Sequence, residues 1–224
     1  MSLPFTHTQF LDAFAAYNTA LWPAALLLWL ATAWALITWI RRGEAASRLL
    51  AGLLAVHWAW SAVAYHLAFF RPINPAASLF ALLFLVQAAL FLWLGSVRGS
   101  LRWRLDRSPA GLLGALFVVY GMVYPALNLA FGLEYPRMPA FGVPCPTTLV
   151  TAGVLLASLP GSPRVLNVIP LLWTAVAGSA AFLLGIRADL ALLVAGVLLL
   201  VHTLAPRLFG RRGERTERQE PAVV

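Results

Sequence analysis

The sequence predicts an all-α, polytopic integral membrane bundle of about seven transmembrane helices, and three observations support this fold class. Apolar residues make up 61% of the chain and charged residues 11%, with a mean hydropathy of +0.82, whereas soluble domains are about half apolar and about a quarter charged. Seven apolar segments approach the roughly 20 residues that cross about 30 Å of hydrocarbon. Most basic residues lie between or after these segments.

The seven apolar segments are the predicted spans. Hydrocarbon contains no water that could hydrogen-bond the backbone, so each segment is expected to be a helix. The short connections make consecutive helices antiparallel neighbours in one domain, residues 19–208, and leave no length for a soluble domain. The spans are approximately residues 19–40, 49–70, 76–97, 110–132, 143–159, 165–185 and 190–208.

The distribution of arginine predicts the orientation. Cytoplasmic loops of membrane proteins carry an excess of basic residues. With seven spans, the segments on one side hold 13 arginines and those on the other side hold 3, Arg71, Arg137 and Arg187. We therefore expect the N-terminus outside and the C-terminus in the cytoplasm, in a bacterial cytoplasmic membrane. The 13 are Arg41, Arg42, Arg48, Arg98, Arg102, Arg104, Arg107, Arg164, Arg207, Arg211, Arg212, Arg215 and Arg218.

Both ends of the chain are predicted to lie outside the bundle. Residues 1–18 contain no lysine or arginine, unlike the basic start of a signal peptide, so we expect the first span to be retained. Thr8 is the predicted N-cap of an amphipathic helix on the outer interface, and a lid over an outward-facing site is the alternative. Residues 209–224 are predicted to form a disordered, basic cytoplasmic tail. The apolar stripe of the N-terminal helix is Phe10, Leu11, Phe14 and Tyr17.

Composition also excludes several classes of function. The net charge of +8 and the pI near 11.0 do not indicate nucleic-acid binding, because the arginines are distributed as topology signals. The absence of lysine excludes a retinal Schiff base, and the single cysteine excludes an internal disulfide or a metal site of several cysteines. No cofactor is predicted. The expected partner is the lipid bilayer, and a homo-oligomer or a membrane partner subunit stays open.

The predicted spans contain no clearly buried carboxylate or cation. Ion-coupled transporters keep such a residue near the midplane, because a charge there is costly and is retained only for function. That role could fall to histidine or to the carboxylates at the outer ends of the helices. These carboxylates are Asp12, Glu134 and Asp189.

Three of the four histidines lie within the predicted spans. His57 and His202 have a similar depth from the cytoplasmic side and could meet if their helices pack together; two separately hydrogen-bonded histidines are the alternative. On an ideal helix Tyr65 shares the face of His57, whereas His66 lies about 180° away from it.

Six polar residues are predicted to lie at one depth, near the outer ends of their helices. Together they could form an outward-facing site for a small molecule or an ion, covered by the N-terminal segment. The alternative is that polar residues occur at helix ends because water is near. The six are His66, Asn74, Asn128, Cys145, Thr147 and Thr148.

The element Pro144-Cys145-Pro146 begins the fifth and shortest predicted span. Proline lacks an N–H and fits the first turn of a helix. Cys145 would then face the positive end of a helix dipole, which favours thiolate chemistry or contact with a soft metal. A small packed cysteine at a proline-shaped helix start is the alternative, and metal binding stays open. Short helices whose N-termini point into a cavity bind anionic groups in transporters.

Several short motifs carry a resemblance to a known family. They are PFTHTQFL (residues 4–11), AYN (16–18), WP (22–23), YH (65–66), INPA (73–76), FGVPCPTT (141–148) and IPLLW (169–173). With them the chain, up to about residue 205, resembles an uncharacterised bacterial integral-membrane family of unknown function. Members are often labelled major-facilitator permeases, although the major-facilitator fold has twelve helices. The resemblance implies membrane location and a common fold, and it implies no catalytic residue.

We therefore expect a small permease-like transport protein with an outward-facing polar site, and two alternatives stay open. A non-catalytic membrane subunit or assembly factor would need no internal polar cavity, and would instead expose a long apolar groove. A metal-dependent membrane hydrolase would need about three histidines and a carboxylate at one depth. The division of the histidines into inner and outer layers disfavours such an enzyme.

Overall fold

A computed structural model describes residues 4–104, 106–159, 162–205 and 208, and helices are the regular elements in these ranges. The predicted tail, residues 209–224, lies outside the described residues. The α-helices are α1 His7–Arg42, α2 Ser47–Trp60, α3 Ala77–Leu90, α4 Pro109–Met122, α5 Tyr124–Ala130, α6 Pro144–Leu156, α7 Val168–Leu184 and α8 Ala191–Leu204. Short 3-10 turns cover Gly43–Ala46, Arg164–Asn167 and Arg187–Leu190.

Two helices change their winding before they end. α2 continues as a π-helix over Ser61–Phe70, and α3 continues as a π-helix over Phe91–Val97. A π-helix has more residues per turn than an α-helix, so it changes which side chains share a face, and such segments occur frequently at functional sites. The segment in α2 carries Tyr65 and His66.

α1 begins earlier than the sequence indicates and does not stop at residue 18. The predicted N-cap, Thr8, is wrong: the cap is Thr6, whose hydroxyl accepts a hydrogen bond from the Gln9 N–H (3.2 Å) while the Gln9 side chain accepts one from the Thr6 N–H (2.8 Å). This reciprocal capping box satisfies two N–H groups. The helix then runs for 36 residues through Pro23. Asn18 does not end it, because the Asn18 side chain is buried against a loop.

Each predicted span contains a helix, and four stretches in the described part of the chain are long and apolar enough to cross a membrane. α4 and α5 meet at 68° and form a fifth if the bent pair is one span. The first stretch, of 64 residues, turns back at Gly43–Ala46, where α1 and α2 become an antiparallel pair. The four are His7–Phe70, Ala77–Val97, Arg164–Leu184 and Arg187–Leu204.

One end of the bundle brings together the connections α1–α2, α3–α4 and α6–α7. The Trp103 N–H donates to the Ser47 hydroxyl (3.1 Å), and the Trp39 indole donates to the Trp103 carbonyl (3.3 Å). Trp103 also pairs with Ser158 in an isolated antiparallel bridge. Connections predicted to share the arginine-rich side therefore share one end of the molecule.

α6 lies in the middle of the bundle, and all 13 of its residues are buried. It packs closely on α4: a Cβ added at Gly114 would lie 2.5 Å from the Gly153 carbonyl oxygen, and one at Gly153 would lie 2.5 Å from the Gly114 oxygen. Small residues allow membrane helices to approach this closely. At 1.5 Å per residue α6 is about 20 Å long, shorter than the roughly 30 Å of hydrocarbon.

The loop between α5 and α6 folds into the opposite end of the bundle. The Tyr17 hydroxyl donates to the Phe141 carbonyl (3.1 Å), and the Ser61 hydroxyl donates to the Gly142 carbonyl (2.9 Å). Trp60 in turn donates its indole N–H to the Tyr17 oxygen (2.8 Å). Irregular backbone is tolerated at membrane depth only where protein buries it. These hydrogen bonds supply donors to the backbone carbonyls of Phe141 and Gly142 in the loop.

Candidate functional site

A cavity of about 250 Å³ lies at this same end, between the start of α1, the π-helical part of α2 and the second half of α7. Its wall is mostly apolar, and it reaches exposed residues of α7 such as Val176. The aromatic residues of the wall are Phe5, Phe10, Phe14, Tyr65, Phe70, Phe80 and Trp173.

His66 is one of the polar residues in the cavity wall. Its side chain is fully buried, and neither ring nitrogen has a hydrogen-bond partner among the described residues. The ring packs edge-on against Phe84 (centroids 4.8 Å apart) and Trp173 (5.2 Å), which fixes its orientation. A buried polar group without a partner costs about 1–3 kcal/mol. These two nitrogens therefore call for water or a ligand in the cavity.

Two further polar groups of the wall share this property. The Tyr65 hydroxyl and the Trp173 indole N–H are buried and have no hydrogen-bond partner in the described part of the chain. Tyr65 and His66 are adjacent in sequence, yet both contribute to the same cavity. His66 and His57 have different neighbours, as their placement about 180° apart on an ideal helix predicts: His57 contacts Thr32 and Phe141, and only His66 lines the cavity.

Asp189 supplies a carboxyl group to the cavity, and sequence reasoning did not place it in the site. It lies in the 3-10 turn before α8 and is only 4% exposed, so the expectation that no carboxylate is buried is wrong. The Tyr124 hydroxyl donates a hydrogen bond to it, and the Cys145 thiol also hydrogen-bonds it. The sequence feature that could have placed Asp189 in the site is its position between α7 and α8, at the predicted outer end of these helices.

Three of the six predicted site residues come together in the cavity: His66, Asn74 and Cys145. The Asn74 side-chain oxygen accepts a hydrogen bond from the Ala76 N–H (3.1 Å), so one role of Asn74 is local, at the start of α3. Cys145 is at the first turn of α6, as Pro144-Cys145-Pro146 predicts, and is 8% exposed.

The other three predicted residues are not part of the cavity wall. Asn128 donates its amide to the carbonyls of Tyr124 (3.3 Å) and Pro139 (3.0 Å) and so holds the loop before α6. Thr147 lies 3.3 Å from the Ser61 hydroxyl, and Thr148 donates to the Pro144 carbonyl (2.9 Å). These three side chains therefore contact other neighbours.

The described residues contain no group of three or more His, Cys, Asp or Glu side chains arranged to hold a metal ion. His57 has its own environment: Nε2 lies 2.6 Å from the Thr32 hydroxyl, and the ring packs edge-on against Phe141. Where it is described, the chain thus offers no ligand set for the metal-dependent hydrolase.

The fold and the cavity define an all-helical protein with helices suited to crossing a membrane. The chain belongs to a family of unknown function, DUF6064, whose family model matches residues 7–213. This match confirms the resemblance to an uncharacterised family of unknown function. Comparisons with curated proteins and with solved structures find no match.

Proposed function

We propose that this protein is a small permease-like membrane protein that binds a small molecule in an outward-facing cavity. The observation that carries the proposal is His66, a fully buried side chain in the cavity wall with both ring nitrogens unpaired within the described residues. Protein interiors leave few buried polar atoms unsatisfied. A ligand that accepts from or donates to this ring would satisfy them.

The proposed topology has seven helical segments, with the N-terminus outside and the C-terminus in the cytoplasm. The 13-to-3 distribution of arginine supports this orientation. Contacts at the two ends also support it, since Trp103 joins connections of the arginine-rich side, while Arg137 pairs with Asp12 (3.0 Å) at the cavity end. α6 would be a segment enclosed by the others.

The cavity favours a binding protein over a non-catalytic subunit or assembly factor. A subunit without a site needs no cavity with polar side chains in its wall, whereas here His66, Asn74, Cys145 and Asp189 line a cavity that is otherwise mostly apolar. Entry from the outer leaflet or the outer surface is suggested by the exposed α7 residues at the rim, such as Val176.

Alkylation of Cys145 tests whether the cavity is open. Full-length protein in lipid bilayers is treated with N-ethylmaleimide, a small uncharged reagent. The matched control is Thr148→Cys in a Cys145→Ser background, because Thr148 is fully buried one turn further along α6 and outside the cavity wall. We expect Cys145 to react more than about tenfold faster than the control thiol. A tenfold ratio corresponds to a difference of about 1.4 kcal/mol in the free energy of reaching the reactive state.

The proposal fails if Cys145 reacts only after unfolding, or no faster than the control. Sidedness is read in intact cells with methanethiosulfonate ethyltrimethylammonium, which does not cross membranes. Pretreatment is expected to block later alkylation of Cys145. Full alkylation after pretreatment would contradict the outward orientation.

A further inference from the structure

The only acidic side chain in the described cavity wall, Asp189, has no ion pair among the described residues. Its partners, the Tyr124 hydroxyl and the Cys145 thiol, are neutral donors. It also lies in the turn that leads into α8, where the helix dipole favours a negative charge. A buried carboxyl group is costly to ionise without an opposite charge, and such groups are retained in membrane proteins for function. A cation in the cavity would supply that opposite charge.

The walls around this carboxyl group are suited to an organic cation. Aromatic faces attract ammonium groups, with about 0.5–2 kcal/mol per contact, and the wall includes Phe80 and Trp173. The described wall contains no arginine side chain that would repel a positive charge. A neutral His66 ring nitrogen can accept a hydrogen bond from an N–H or O–H of the ligand.

The same wall is poorly suited to a bare metal ion. Hard cations require six or more oxygen ligands, and no group of three His, Cys, Asp or Glu side chains suited to a metal occurs in the described chain. The volume of about 250 Å³ instead fits a molecule of a few carbon atoms around one nitrogen.

We propose that the ligand is a small organic ammonium ion, with Asp189 as its counter-ion and aromatic side chains around its alkyl groups. This inference rests on the proposed function, because it assigns the substrate class of the same cavity. It places the ammonium group near Asp189 and beside Cys145, so the bound cation shields the thiol from alkylation.

The test compares choline with 3,3-dimethylbutan-1-ol, which has the same shape with carbon in place of the charged nitrogen. Each is titrated over the same range during alkylation of Cys145 by N-ethylmaleimide in full-length protein in bilayers. We expect choline to slow the reaction about tenfold at saturation. The uncharged isostere should act only at much higher concentration, because it makes neither the charge–carboxylate contact nor the cation–π contacts.

Two carboxyl variants locate the effect. Asp189→Asn keeps an oxygen for the Tyr124 hydroxyl but removes the charge, and it is expected to abolish protection by choline. Asp12→Asn removes an exposed carboxylate at the same end and is expected to leave protection unchanged. Protection is the ratio of rates with and without choline within each variant, so an altered basal thiol reactivity cancels. Trp173→Leu tests the aromatic part of the wall separately. This variant is expected to weaken protection by choline more than protection by the uncharged isostere.

The outcomes separate the two proposals. If Cys145 is unreactive in the folded protein, the cavity is closed and both proposals fail. If Cys145 reacts but the two probes protect equally, or if neither protects, the cavity is open and the ammonium assignment is wrong. Protection by choline that survives Asp189→Asn also overturns the assignment.

Discussion

Two groups of buried polar residues lie at the same end of this bundle and differ in one respect. The loop cluster, Tyr17, Asn18, Trp60 and Ser61, hydrogen-bonds the loop before α6 directly or through a neighbour. The cavity group, Tyr65, His66 and Trp173, has side-chain N–H, N or O–H atoms that find no partner among the described residues.

Unpaired buried atoms also occur outside the cavity, for example at Gln87 and Trp103, so the assignment of the cavity group to a ligand rests on its position in the cavity wall as well. A satisfied buried hydrogen bond contributes about 1 kcal/mol, and leaving one of its partners unpaired costs about 1–3 kcal/mol. Changes in the loop cluster should therefore lower stability and act on binding only indirectly. Removal of the unpaired nitrogens of His66 should alter binding while stability stays level or rises.

Gly142→Ala is expected to have the largest effect on the loop cluster. Gly142 has φ 83°, a left-handed conformation, and a Cβ there would lie 2.6 Å from the Tyr17 oxygen and 2.9 Å from the Trp60 indole nitrogen. Strain and displacement of that bonded pair should lower the free energy of unfolding by about 3 kcal/mol or more. Unfolding in denaturing detergent measures the change. Gly52→Ala, whose Cβ would meet only the Ser96 side chain at 3.3 Å or more, is the control and should change stability little.

Asn18→Ala is expected to have the next largest effect. The Asn18 amide donates to the carbonyls of Pro136 (2.7 Å) and Met138 (2.8 Å). Its removal leaves both carbonyls without that donor and should lower the free energy of unfolding by about 2 kcal/mol. The same unfolding measurement applies, and stability equal to that of the unchanged protein would mean that the loop does not depend on this contact.

Asp12→Asn is expected to have the smallest effect. The Asp12–Arg137 pair joins α1 to the same loop, but both side chains are about half exposed. Exposed ion pairs contribute about 0–1 kcal/mol, so the change in unfolding free energy should stay below about 1 kcal/mol. A loss as large as that of Asn18→Ala would show that the surface contact, rather than the buried amide, holds the loop.

Much of the helix layout could be predicted from the sequence, because the length of apolar segments decides it. The predicted span 49–70 nearly coincides with the described helical stretch Ser47–Phe70, and 76–97 with Ala77–Val97. Helix winding could not be predicted, because the π-helix in α2 depends on packing and on no local signal. The burial of Asp189 likewise depends on Tyr124 and Cys145, which are 65 and 44 positions away in the chain.

The candidate site was predictable in part. His66, Asn74 and Cys145 line the same cavity, whereas Thr148 and Asn128 donate to backbone carbonyls. Sequence spacing gives the position of a residue along its helix axis, but which face meets a cavity depends on how the helices pack. Trp173 was missed for this reason, since its contact with His66 joins α7 to α2.

The most direct test of the contrast is the free energy of unfolding of His66→Phe, measured beside Asn18→Ala, together with protection of Cys145 by choline. Phenylalanine keeps an aromatic ring, though a larger six-membered one, and removes both unpaired nitrogens. We expect stability between no change and an increase of about 2 kcal/mol, with weaker choline protection, while Asn18→Ala loses about 2 kcal/mol. A loss of stability in His66→Phe as large as that in Asn18→Ala, with choline protection unchanged, would contradict the assignment of His66 to a ligand site.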